Sequence, residues 1–81
     1  MSTRETLRRF IAESFFVEDF ADQDSFLRTG IVDSTGMMEL ILFLEATFAF
    51  KIEDGELIPD NLDSIDKLLK FIERKTARRG S

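Results

Sequence analysis

Apolar residues recur at helical spacing in three stretches of the chain and lose that period in between. In the first, Leu7, Phe10, Ile11 and Phe15 fall on one side of a helix drawn at about 100° per residue, while Glu5, Arg9 and Ala12 fall elsewhere. Ser2 and Glu5 have the spacing of a capping box, so this helix is expected over residues 3–15. In the second, Met37, Leu40, Ile41, Leu44 and Phe48 cover an arc of about 100° and predict a core-facing helix from Ser34 to Ala49, with Asp33 as its N-cap. In the third, Ile65, Leu68, Leu69 and Ile72 line one face of a helix capped by Asp63 or Ser64, with Gly80 as its stop signal.

The connections are equally informative. Residues 16–32 set Asp19, Asp22, Asp24 and Gly30 among Phe16, Val17, Phe20, Phe26, Leu27 and Ile31, with no period. Such a connection is long for a compact domain, and its six apolar residues make it a packed loop lying across the helices, with a short helical turn at Ser25-Phe26-Leu27. Residues 51–55 read as a turn, and Pro59 is placed for the first turn of a short helix near 59–62. No stretch reads as a strand. The fold class is therefore all-α: a small four-helix bundle of three main helices and one short one, with a long loop between the first two. Packing of the first helix on the last is expected to rest on Phe10, Leu44, Phe48, Leu69 and Ile72.

At 81 residues the chain makes one small domain with a thin core. It has no cysteine and no histidine, which removes disulfides, thiolate metal sites, a cysteine nucleophile and the commonest general base. A self-sufficient enzyme is not expected. Residues 13–66 hold fourteen acidic residues against two basic ones, Arg28 and Lys51, whereas residues 67–81 hold six basic against one acidic. An acidic body repels nucleic acid and anionic membrane and steers towards basic protein surfaces. Residues 1–75 are read as the domain and 76–81 as a basic tail, and the basic run Arg74, Lys75, Arg78 and Arg79 across that boundary reads as a solvated helix end that complements the dipole. The expectation is a cytoplasmic monomer that binds no nucleic acid and does not insert into membrane. Neither Asp19, Asp22 and Asp24 nor Glu53, Asp54 and Glu56 follow a calcium-loop pattern, so both groups read as solvated acidic loop and no metal is expected.

Two features exceed what the fold requires. Met38 and Leu42, with Thr35, form a strip on the second helix turned well away from its core stripe, rimmed by Glu39 and Glu45. This is either a partner-docking surface or a strip covered by the long loop. Ser34 follows the cap residue Asp33 and precedes Gly36, which takes bulk away beside it. Free N–H groups at a helix start favour an attached or bound phosphate, although Asp-Ser-Thr is also an ordinary helix N-terminus. With no histidine to take its proton, Ser34 can react only if another enzyme makes it react.

Residues 26–34, Phe-Leu-Arg-Thr-Gly-Ile-Val-Asp-Ser, run into a helix with Glu39-Leu40 and Leu44-Glu45, and the whole resembles the acyl carrier protein family. The likeness continues through Phe48, Ile52 and the stretch Glu56 to Ile65, and covers about residues 4–75. It implies that Ser34, flanked by Asp33, carries a 4′-phosphopantetheine arm moved from coenzyme A by a phosphopantetheinyl transferase. The arm's thiol then holds an acyl or aminoacyl cargo as a thioester. It further implies an acyl- or aminoacyl-activating ligase and a downstream acyltransferase or synthase as partners, meeting Thr35, Met38, Glu39, Leu42 and Glu45. Fatty-acid carriers usually read Asp-Ser-Leu at this point and have a more acidic second helix. Ser34-Thr35-Gly36 looks more like stand-alone carriers served by an adenylating ligase, with aminoacyl, peptidyl and D-alanyl carriers as alternatives. A helical adaptor without a prosthetic group, binding through Met38 and Leu42, is the alternative from another class.

Overall fold

The computed structural model describes residues 2–80, with side chains to residue 77. The elements are α1 (Thr3–Phe15), α2 (Phe26–Thr29), α3 (Ser34–Phe48), a 3₁₀ turn (Asp54–Glu56), α4 (Pro59–Leu62) and α5 (Ile65–Gly80), and no strand occurs among the described residues. Three helices are long, as expected, and α2 is the short turn anticipated inside the long loop. No helix among the described residues is long and apolar enough to cross a membrane.

The caps explain the boundaries. Ser2 Oγ accepts from the Glu5 N–H at 3.1 Å, and the Glu5 carboxylate accepts from the Ser2 N–H at 3.4 Å, a reciprocal capping box for α1. Of the two candidate caps for α5, Ser64 serves, its Oγ accepting from the Lys67 N–H at 3.1 Å. Asp63 is occupied elsewhere. Its carboxylate accepts from the Ser25 hydroxyl and, at 2.9 Å, from the Leu27 N–H, while its carbonyl accepts from the Phe26 N–H at 2.8 Å. This one residue bolts the long loop to the α4–α5 corner. α3 ends one residue earlier than expected, because Ala49 turns left-handed at φ 56°.

Leu7 and Ile11 of α1, Phe26 of α2, Leu40 and Leu44 of α3, and Ile65, Leu68 and Phe71 of α5 form the sealed centre of the core. Phe71, absent from the expected stripe, is 1% exposed, whereas Leu69, Met37 and Phe48 are half-buried at its edge. Phe10 stacks on Phe43 of α3 with ring centroids 4.0 Å apart.

The loop packs through Phe20, Phe26 and Val32, but Phe16 points away from it into solvent. Of the three acids expected to be solvated, Asp19 is exposed but Asp22 and Asp24 are engaged. Asp22 accepts from Arg4 and, at 2.7 Å, from Arg8, and Asp24 accepts from the Ala21 N–H at 2.9 Å. The basic end of α5 is likewise engaged: Lys75 pairs with Glu56 at 2.9 Å and Arg74 donates to Asn61 Oδ1 at 2.6 Å. The side chains of Arg78 and Arg79 lie outside the described residues.

Candidate functional site

The chain reaches α3 from a buried anchor. Val32 is buried and donates its N–H to Phe26 O at 3.2 Å, after Gly30 has closed α2 at φ 81°, a left-handed turn suited to glycine. Asp33 then emerges to the surface as the N-cap of α3. Its Oδ1 accepts from the Gly36 N–H at 2.7 Å and its carbonyl from the Met37 N–H at 2.8 Å. Ser34 is the first helical residue and is exposed, as is Thr35. Their two N–H groups point out of the helix start and have no hydrogen-bond partner among the described residues.

Gly36 has a role that its sequence position did not reveal. It is buried, and a β-carbon there would lie 2.5 Å from Phe15 Cε1 and 3.2 Å from Phe15 Cζ. The glycine admits α1 against α3.

Beside Ser34 opens a cleft of about 250 Å³ lined by Leu27, Met37, Ile41, Leu57, Ile58, Pro59 and Leu62. Its walls are apolar and Ser34 supplies the polar group. Sequence reasoning missed this cleft, since Leu57 and Ile58 belong to no periodic stretch. Their signal was an adjacent apolar pair left without a helix to bury it.

On the outer face of α3, Met38 is 56% and Leu42 61% exposed, so the long loop does not cover the strip. Thr35 and Glu39 share this exposed side. Glu45 departs from the expected rim: it is half-buried, and its Oε2 accepts from the Ile52 N–H at 2.9 Å, holding the turn that follows α3. No cluster of metal-ligating side chains occurs among the described residues.

No family model matches the chain. It is 33% identical over 75 residues to the D-alanyl carrier proteins of Streptococcus pyogenes serotype M5 (strain Manfredo) and serotype M1, an alignment covering 90% of this chain and 94% of each relative. The chain belongs to the D-alanyl carrier protein family. An alignment that covers 90% of the chain takes in the α2–α3 segment, the Asp33-Ser34 junction included. Membership makes the protein a small helical carrier of the acyl carrier type, narrowing the resemblance its sequence suggested.

Proposed function

We propose that the protein carries a D-alanyl group as a thioester on a 4′-phosphopantetheine arm attached to Ser34. Family membership supports the cargo, and the single structural observation that carries the attachment site is the exposed Ser34 hydroxyl at the capped start of α3. The residues present fit the group. A phosphodiester on Ser34 would meet the free N–H groups of Ser34 and Thr35 and the positive end of the α3 dipole. The arm supplies, when attached, a thiol that no side chain of this chain offers.

Attachment needs an outside enzyme. Ser34 Oγ bonds to the pantetheine-side phosphorus of coenzyme A, the phosphoanhydride bond breaks, and 3′,5′-ADP leaves. The serine proton goes to a base on the phosphopantetheinyl transferase, because the chain has no histidine and the adjacent Asp33 carboxylate is engaged by the Gly36 N–H. Asp33 holds the helix start in place through its bond to the Gly36 N–H. Thr35, Met38, Glu39 and Leu42 offer partners an apolar strip with an exposed carboxylate at its border, suited to brief contact with basic surfaces on the transferase, on an activating ligase and on a downstream acyltransferase. The chain itself acts as a non-catalytic carrier in the cytoplasm.

The apolar cleft favours a second reading, in which the cargo is a short acyl chain lodged beside Met37 and Ile41. Intact mass measured after incubation with coenzyme A and a broad-specificity transferase tests the common core of both readings. The parent should gain one phosphopantetheine and Ser34→Ala none; equal gain in both would move the site elsewhere. Loading of the product by the host's ligase with ATP and D-alanine, against acyl competitors, then decides the cargo.

A further inference from the structure

All nine phenylalanines are described, and eight are buried or half-buried; Phe16 is 91% exposed. It closes α1 in the left-handed region, at φ 57° and ψ 44°, with its N–H donating to Ala12 O. Glycine suits that conformation, and the chain uses glycine for the matching task at Gly30. A phenylalanine there costs on the order of 1 kcal/mol in backbone strain and leaves an aromatic ring in water. Neither capping nor core packing asks for it.

Its surroundings state what it could meet. Phe16 shares an open groove with Ala12, Glu13, Val17, Glu18 and Asp19, and no basic residue lines it. The carboxylates of Glu13, Glu18 and Asp19 are exposed and have no hydrogen-bond or ion-pair partner among the described residues; Arg4 and Arg8 are held by Asp22, and Arg9, one turn before Glu13, is the single base against three acids. Position completes the case: the neighbouring Phe15 ring lies against Gly36, in the first turn of α3, so Phe16 sits at the end of the bundle where Ser34 is exposed.

We propose that Phe16 and its ring of carboxylates are a second docking element for the enzyme that modifies Ser34, engaged by an apolar pocket rimmed with arginine or lysine. The proposal rests on the carrier reading of Ser34. A second copy of this chain would bring three more carboxylates to the same place, and nucleic acid or anionic lipid would bring phosphates, so each is repelled. A basic protein surface gains from the charge and from burying the ring, and any enzyme reaching the Ser34 oxygen must cover this end of the bundle.

The test titrates the ¹⁵N-labelled chain with the native host's phosphopantetheinyl transferase, without coenzyme A. Amide shifts are expected across residues 12–19 as well as 34–42. In steady-state transfer from coenzyme A, Phe16→Gly should lower kcat/KM about tenfold, mainly through KM, while its melting temperature holds or rises. Glu18→Lys combined with Asp19→Lys should lower kcat/KM and flatten its dependence on salt. Shifts confined to α3, or an unchanged kcat/KM in Phe16→Gly, would overturn the proposal. So would shifts at 12–19 that track the chain's own concentration, which would assign the patch to a second copy. Failure of the parent to gain any phosphopantetheine would instead strike the carrier reading, and is seen separately by mass.

Discussion

Phe15 presses its ring against the bare α-carbon of Gly36, so closely that a β-carbon there would sit 2.5 Å from Phe15 Cε1. The contact sets how near α1 comes to the first turn of α3, and so where Ser34 stands. Gly36→Ala brings up to about 1 kcal/mol of helix propensity but drives the Phe15 ring away from Phe10, which it meets edge-on at 6.0 Å. Overpacking of this kind costs about 1–3 kcal/mol, so a net loss of roughly 1 kcal/mol is expected by urea denaturation. Phe15→Leu should relieve most of the added cost in the double variant. Additive losses would show that the two residues do not couple.

Asp63 gives a larger effect. Its nearly buried carboxylate serves both the Ser25 hydroxyl and the Leu27 N–H, across more than thirty residues of sequence. Asp63→Ala leaves these donors without their acceptor, at a cost of about 2–3 kcal/mol. Amide exchange should speed up in α2 before it does in α1 or α5. Uniform acceleration would mean that the loop is held chiefly by Phe26.

These two relationships mark the border of what the chain revealed on first reading. The long helices were legible because their apolar periods and caps are local, and Asp33-Ser34 was legible because a cap and an exposed hydroxyl need only neighbours in sequence. The roles of Gly36 and Asp63, the inward turn of Glu45 and the wall formed by Leu57 and Ile58 depend on what the fold brings up from afar. The same reason misplaced the aromatic core. Phe71 lies beside the expected α5 stripe and takes its centre, meeting Phe50 edge-on at 6.0 Å, whereas Phe48 lies at the rim near Phe50. Phe71→Ala should therefore cost about 3–5 kcal/mol and leave little folded protein, while Phe48→Ala should keep a cooperative melt. Calorimetry of the pair checks the order, and the reverse order would restore Phe48 to the core.

Acid should loosen the α1–loop junction. The hydrogen bond from Arg4 holds the Asp22 carboxyl below its usual range, helped by Arg8 and opposed by partial burial. A folded-state pKa below the unfolded one means that the stabilisation is present above the ordinary aspartate value of 3.8 and is lost as pH falls through the folded pKa. Asp22→Asn should thus be less stable than the parent at neutral pH and converge with it in strong acid. A constant gap between the two down the acid limb would mean that the ion pairs contribute nothing that titrates. The Arg4 side chain is half exposed, so the gap should also narrow with added salt.

The cleft beside Ser34 makes the cargo thermodynamically visible. D-alanine is small and charged and has nothing to gain from walls built of Leu27, Met37, Ile41 and Leu57. Each methylene of an acyl chain that enters them gains about 0.8 kcal/mol. In a domain this small, 1 kcal/mol moves the melting temperature by about 4–8 °C. Loading with D-alanine should therefore leave the melting temperature of the phosphopantetheinylated protein within about a degree, whereas hexanoyl or octanoyl loading should raise it by several degrees if the chain lodges in the cleft. Ile41→Ser, which makes one wall polar, should erase that rise without touching the D-alanyl form's response. An octanoyl form that melts with the unloaded protein would leave the cleft to the arm alone, and would remove the one structural reason for preferring an apolar cargo over D-alanine.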